Sequence, residues 1–134
     1  MKNGFNHTLK AIKQRGEVFT PTHLVNEILK KLPIKLFKDK SKTFLDNSCG
    51  NGQFLFAVLQ RKIRNGISHE QALQTLYGVE LDVNNAEECR KRLLMGSKSR
   101  KLRAIVDHNI ISANTLSPNG KKWSRVGFYW ERSN

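Results

Sequence analysis

The sequence predicts an α/β domain with three to four mainly parallel strands and flanking helices, and three observations predict it. Short apolar runs at TFLD (43–46), YGVEL (77–81) and HNIIS (108–112) alternate with longer stretches of helical periodicity. The order strand, helix, strand, helix, strand calls for crossover connections, which join parallel neighbours. The first strand and its helix meet at a tight turn, SCGNG, where two glycines remove side chains from the bend. With 134 residues and 15.4 kDa the chain fits one domain with a modest core and excludes a multi-domain enzyme. Hydrophobic residues at 38% and charged residues at 26% suit a folded domain better than a disordered tail.

Residues 1–15 form a basic segment with Phe5, Leu9 and Ile12 at roughly helical spacing. In GEVFTP (16–21), Thr20 is a helix cap and Pro21 a first helical residue. The helix 22–32 then places Leu24, Val25, Ile28, Leu29 and Leu32 on one side, and Pro33 stops it. A basic connection, KDKSK, leads to a short buried strand at 43–46 and its glycine turn. The helix from 53 to 66 turns Leu55, Val58, Leu59 and Ile63 inward and ends at Gly66. Ser68 and Gln71 have the spacing of a capping box, opening a short helix at 69–76.

The second strand, 77–81, follows. Asp82 caps a helix through VNNAEECRKRLLM, with Ala86, Cys89, Leu93 and Leu94 on its buried side, and a third strand lies at 108–112. Residues 117–134 read as an edge strand with an atypical tail, its aromatics Trp123, Phe128, Tyr129 and Trp130 suited to edge packing or to an exposed interface. The domain proper is therefore expected over 16–116.

Lys and Arg number 24 against 11 acids, a net charge of +13. A surface this cationic favours nucleic acid, an anionic membrane face or an acidic protein, and charge alone does not choose among them. The densest stretch is RKRLLMGSKSRKLR at 90–103, where Lys91, Arg92, Lys98, Arg100, Lys101 and Arg103 are candidate phosphate contacts. Cys49 and Cys89 form no CxxC pair and the four His are scattered, so neither a metal site nor a disulfide is expected. Cys49 reads as a small packing residue. The amino terminus lacks an apolar signal core and no run approaches a membrane span, which gives a cytoplasmic expectation with no membrane partner.

The turn after the first strand carries the chemistry. A helix that opens from such a turn presents unpaired N–H groups, which favour anions or polar ligand atoms. Glu80 ends the next strand, where an α/β nucleotide site places a carboxylate for ribose hydroxyls. There is no GKS or GKT, so a phosphate-rich ligand is disfavoured. Asp46 would repel phosphate but suits a cationic amino-acid group. S-adenosyl-L-methionine combines an amino-acid end with an adenosine end, and Asp46 and Glu80 bracket the two.

In FLDNSCGNGQF, YGVELD and GEVFTP the chain resembles the N6-adenine-specific DNA methyltransferases of restriction-modification systems, in the branch of type I modification subunits and fused type II enzymes. The resemblance covers roughly residues 13–116. It implies a partial Rossmann-like S-adenosylmethionine-dependent methyltransferase fold and S-adenosyl-L-methionine as cofactor. It further implies that Phe19, Thr20 and Pro21 line the methionine and adenine side, with Asp46, Cys49, Gly50 and Gly52 around the methionine portion. Phe54 would support the turn, Glu80 would hold the ribose, and Leu81 or Asp82 would border the adenine. ANTL (113–116) matches the frame of a third motif, with Asn114 where the family has an aspartate. Asn still accepts through its carbonyl oxygen, without the charge.

The same resemblance implies a catalytic loop with an Asn or Asp, two prolines and an aromatic. No proline follows Pro118 in this sequence, so no catalytic residue is assigned. The expected function is the cofactor-binding portion of a DNA adenine N6-methyltransferase, truncated or one part of a split enzyme and inactive alone. Its expected partners are DNA and a second chain carrying the missing loop and strands. The alternative is a small basic DNA- or protein-binding protein derived from a methyltransferase fold.

Overall fold

The computed structural model describes residues 21–113 and, as backbone, the strands Trp123–Val126 and Tyr129–Arg132. The expectations for residues 1–20 and for Asn114 lie outside the described residues. Helix α1 spans Thr22–Lys30. Pro21 stands at its cap position with φ −61° and ψ 147°, one place earlier than expected, because that extended ψ keeps it outside the helix while its carbonyl accepts from Leu24 and Val25 N–H. Val25 and Leu29 are buried, with Leu24, Ile28 and Leu32 half-buried beside them.

The stretch after Pro33 is not a plain connection. Lys35–Lys38 forms a single helical turn, α2, organised by Phe37, which is 2% exposed and stacks on Phe44 with ring centroids 5.5 Å apart. Strand β1 is Phe44–Asp46, and α3 is Gln53–Arg64. Leu55, Val58 and Leu59 of α3 are fully buried, and Gly66, at φ +92°, follows its end. Helix α4, His69–Leu73, is capped by Ser68 Oγ accepting from Gln71 N–H at 3.1 Å. It is shorter than expected, because Leu76 already belongs to strand β2, Leu76–Glu80.

Helix α5, Val83–Leu94, opens on Asp82, whose Oδ1 accepts from Asn85 N–H at 2.9 Å, and it buries Ala86, Cys89, Leu93 and Leu94. A further helix, α6, runs Arg100–Asn109 behind its cap Ser99 and leads directly into β3, Ile110–Ser112. Part of the stretch read as a cationic run is thus helix, and the third strand starts two residues later than expected.

The three strands form one parallel sheet in the order β1-β2-β3. Register pairs Asp46 with Gly78 and Glu80 with Ser112, so the ends of all three strands reach the same side of the sheet. Strand β2 is central and buried from Leu76 to Val79. Strand β1, expected to be buried, is instead an edge among the described residues, and Leu45 is 57% exposed. The carboxy-terminal part holds two strands, β4 (Trp123–Val126) and β5 (Tyr129–Arg132), paired antiparallel in a sheet of their own, where the sequence suggested one strand. The arrangement is a partial Rossmann-like α/β fold. No helix of the described residues is long and apolar enough to cross a membrane.

Candidate functional site

The glycine turn is held to the sheet at several points. Asp46 Oδ1 accepts from Ser48 N–H at 3.1 Å, and Cys49 N–H donates to Val79 O at 3.0 Å. Gly50 and Gly52 have φ +55° and +92°, in the left-handed region where a side chain is strained. Gly52 N–H donates to Cys49 O and Gly52 O accepts from Phe56 N–H, which sets the first turn of α3. Gly52 is the cap residue of α3 and supplies no side-chain acceptor, so the first amides of the helix are left for another partner.

The turn and the acid expected opposite it meet directly. Gly50 N–H donates to Glu80 Oε1 at 2.9 Å, and Asp82 N–H donates to Glu80 Oε2 at 3.0 Å. The half-buried carboxylate is therefore fixed by two backbone donors, and each oxygen retains acceptor capacity for a further bond.

Under the turn lies a small, tightly filled space. Cys49 is 4% exposed and Cys89 is fully buried, both as free thiols. A hydrogen bond with Cys89, reinforced by burial, pushes the Cys49 thiol far above its usual range. A Cβ on Gly52 would lie 2.8 Å from Cys89 Sγ, and one on Gly78 would lie 2.8 Å from Cys49 Sγ. The Cys49 side chain thus packs inward, as the sequence suggested, and the residue meets the turn through its backbone. Gly78 escaped the sequence reading, although a glycine inside a strand marks a close approach.

On the other side of Glu80, Leu81 is 70% exposed, and so is its neighbour Val83 at 68%, an apolar position the sequence reading passed over. The end of β3 is drawn against this segment: Ala113 N–H donates to Glu80 O at 3.0 Å, and Ser112 Oγ donates to Leu81 O at 3.3 Å. Phe54 packs half-buried against the core behind the turn. Pro21 lies at the start of α1, and Phe19, Thr20 and Asn114 lie outside the described residues.

The six candidate phosphate contacts divide. Arg92 Nε donates to Asn51 O, and Arg103 binds both oxygens of Glu87, at 2.8 and 3.0 Å, and Asp107 at 2.9 Å. Arg103 holds the Glu87 carboxyl below its usual range. Lys101 pairs with Glu70 at 3.2 Å on the surface. Lys91, Lys98 and Arg100 are exposed, the last two beside a groove of about 370 Å³ at the start of α6.

A glycine turn opening a helix, bonded to a carboxylate at the end of the neighbouring parallel strand, is the arrangement of a Rossmann-like α/β nucleotide site. Residues 5–127 match the profile of the N-6 DNA methylase family, and the chain belongs to that family of S-adenosylmethionine-dependent methyltransferases. No curated protein and no solved structure gives a match.

Proposed function

We propose that the chain is the cofactor-binding portion of a DNA adenine N6-methyltransferase. S-adenosyl-L-methionine would lie between the turn at 46–52 and Glu80. The observation that carries this reading is the Gly50–Glu80 hydrogen bond, because it holds the glycine turn after β1 against the carboxylate that ends β2. Glu80 would take ribose hydroxyls on its remaining lone pairs, and Asp46 would attract the amino group of the methionine end. Gly50, Gly52 and the backbone of Cys49 would shape that end of the site. Leu81 and Asp82 would border the adenine, with Pro21, Phe19 and Thr20 on the far side and Asn114 accepting from the adenine amine. The residues fit the cofactor by chemistry: an uncapped helix start, two acids and an exposed apolar shelf at Leu81 and Val83.

A loop that holds a flipped adenine, from elsewhere in a longer chain or from a second one, would complete the enzyme, and a strand beside it would pair with the edge of β1. The edge position of β1 among the described residues supports that pairing. Calorimetric titration tests the cofactor reading. The folded chain should bind S-adenosyl-L-methionine, and Glu80→Ala and Asp46→Ala should each weaken it by about tenfold or more, the scale of a lost hydrogen bond to a charged group. Absence of binding by folded wild type would reject it. A second reading, a small basic DNA- or protein-binding protein built on the same fold, is favoured by the exposed Lys91, Lys98 and Arg100.

A further inference from the structure

Two adjacent glycine-containing peptides give the turn at 49–52 more freedom than a ligand site can tolerate, since glycine takes either sign of φ with little penalty. Something must therefore choose one conformation. Cys49 N–H is held by Val79 O and Gly50 N–H by Glu80, which fixes the first half of the turn. The second half depends on the peptide between Asn51 and Gly52. Its N–H donates to Cys49 O at 2.9 Å, within the turn itself. Its carbonyl oxygen accepts from Arg92 Nε at 3.0 Å, a donor 41 positions away on α5. The guanidinium also lies 5.9 Å from the ring centroid of Phe56 on α3, so turn, α3 and α5 meet at one side chain.

We infer that Arg92 is a positioning residue for the cofactor turn and not primarily a contact for DNA. The inference rests on the cofactor reading above and deepens it. A charged donor on a carbonyl is stronger than a neutral one, and this one reaches the only half of the turn that the sheet does not hold. Without Arg92 the 51–52 peptide can rotate, and a carbonyl oxygen then faces the side where N–H groups favour the acid group of a ligand. Arg92 acts through the backbone of the turn and touches no reacting atom. Lysine is a poor substitute, because its single head group cannot both reach the carbonyl and keep the contact with the Phe56 ring.

The test compares wild type with Arg92→Met and Arg92→Lys, using S-adenosyl-L-methionine and adenosine as separate calorimetric ligands. Arg92→Met is expected to lose about tenfold or more in affinity for S-adenosyl-L-methionine, with adenosine, which lacks the methionine end, held within about twofold. Lysine should restore part of the loss. Hydrogen exchange supplies a readout independent of ligand: amides of 50–53 should exchange faster in Arg92→Met while those of β2 keep their wild-type rates. Equal affinity of wild type and Arg92→Met for S-adenosyl-L-methionine, with unchanged exchange in the turn, overturns the inference alone. An equal loss for adenosine overturns it as well, since that is general damage. Failure of wild type to bind S-adenosyl-L-methionine takes the underlying cofactor reading down with it. Should Arg92→Met not fold, Arg92→Gln provides the same comparison with a polar head and no charge.

Discussion

Gly78 lacks a side chain because Cys49 and Leu55 occupy the space where one would stand, at 2.8 and 3.0 Å from an added Cβ. The turn above is therefore supported from below by sulfur against backbone, and a methyl group here has nowhere to go. Gly78→Ala should destabilise by about 1–3 kcal/mol, the usual penalty of overpacking. Shrinking the neighbour should relieve it: in urea unfolding, the double variant Cys49→Ala, Gly78→Ala should be more stable than the sum of the single changes by about 1 kcal/mol. Strict additivity would show that the clash is relaxed elsewhere. At this scale the sequence was informative where a site is local. Gly50, Gly52 and Asp46 lie within seven positions, and Glu80 ends a readable strand. Gly78, Cys89 and Arg92 were not legible as parts of the site, because each acquires its role from a partner brought close only by the fold.

Elements read well where apolar spacing was the main signal, as in α1, α3 and α5. They are masked where charge dominates: Leu102, Ile105 and Val106 of α6 keep helical spacing behind a serine cap, yet the helix opens inside a cationic run. The four residues of α2 are too short for periodicity to show. Lys62 of α3 shows how a charged residue can serve an element interface. It is fully buried, and its Nζ donates to Lys42 O at 2.6 Å and Thr75 Oγ1 at 2.8 Å, tying α3 to the entries of β1 and β2. Burial lowers its pKa from the ordinary 10.5, with nearby Asp39 acting in the opposite direction. The folded value lies below the unfolded one, so between them the unfolded chain binds the extra proton and stability rises with pH. The penalty of burying the charge is fully present below the folded value and fades as pH climbs toward 10.5. Lys62→Met lacks this gain. Urea midpoints measured from pH 7 to 10 should therefore move in favour of wild type relative to the variant, and a constant difference would contradict the account.

For the whole molecule, strand order was beyond the sequence, since nothing in TFLD distinguishes a central strand from an edge. Charge, by contrast, was countable but not assignable. Of the six cations proposed for DNA, Arg92, Lys101 and Arg103 are tied to Asn51, Glu70, Glu87 and Asp107, which leaves Lys91, Lys98 and Arg100 as the better phosphate contacts. If the chain binds DNA through them, neutralising each should lower the slope of log affinity against log salt by about 0.9. Arg103→Gln should loosen the pairing of α5 with α6 and leave that slope unchanged. Filter binding across a salt series decides it, and an unaltered slope after removing all three cations would clear that face of DNA. The flank of β1, open among the described residues, has a practical corollary. Copies of the chain could add to it strand by strand, and the net charge of +13 keeps them apart only while it is unscreened. Solutions of the isolated protein should stay clear longest when dilute and nearly salt-free, the reverse of the usual handling of a basic protein.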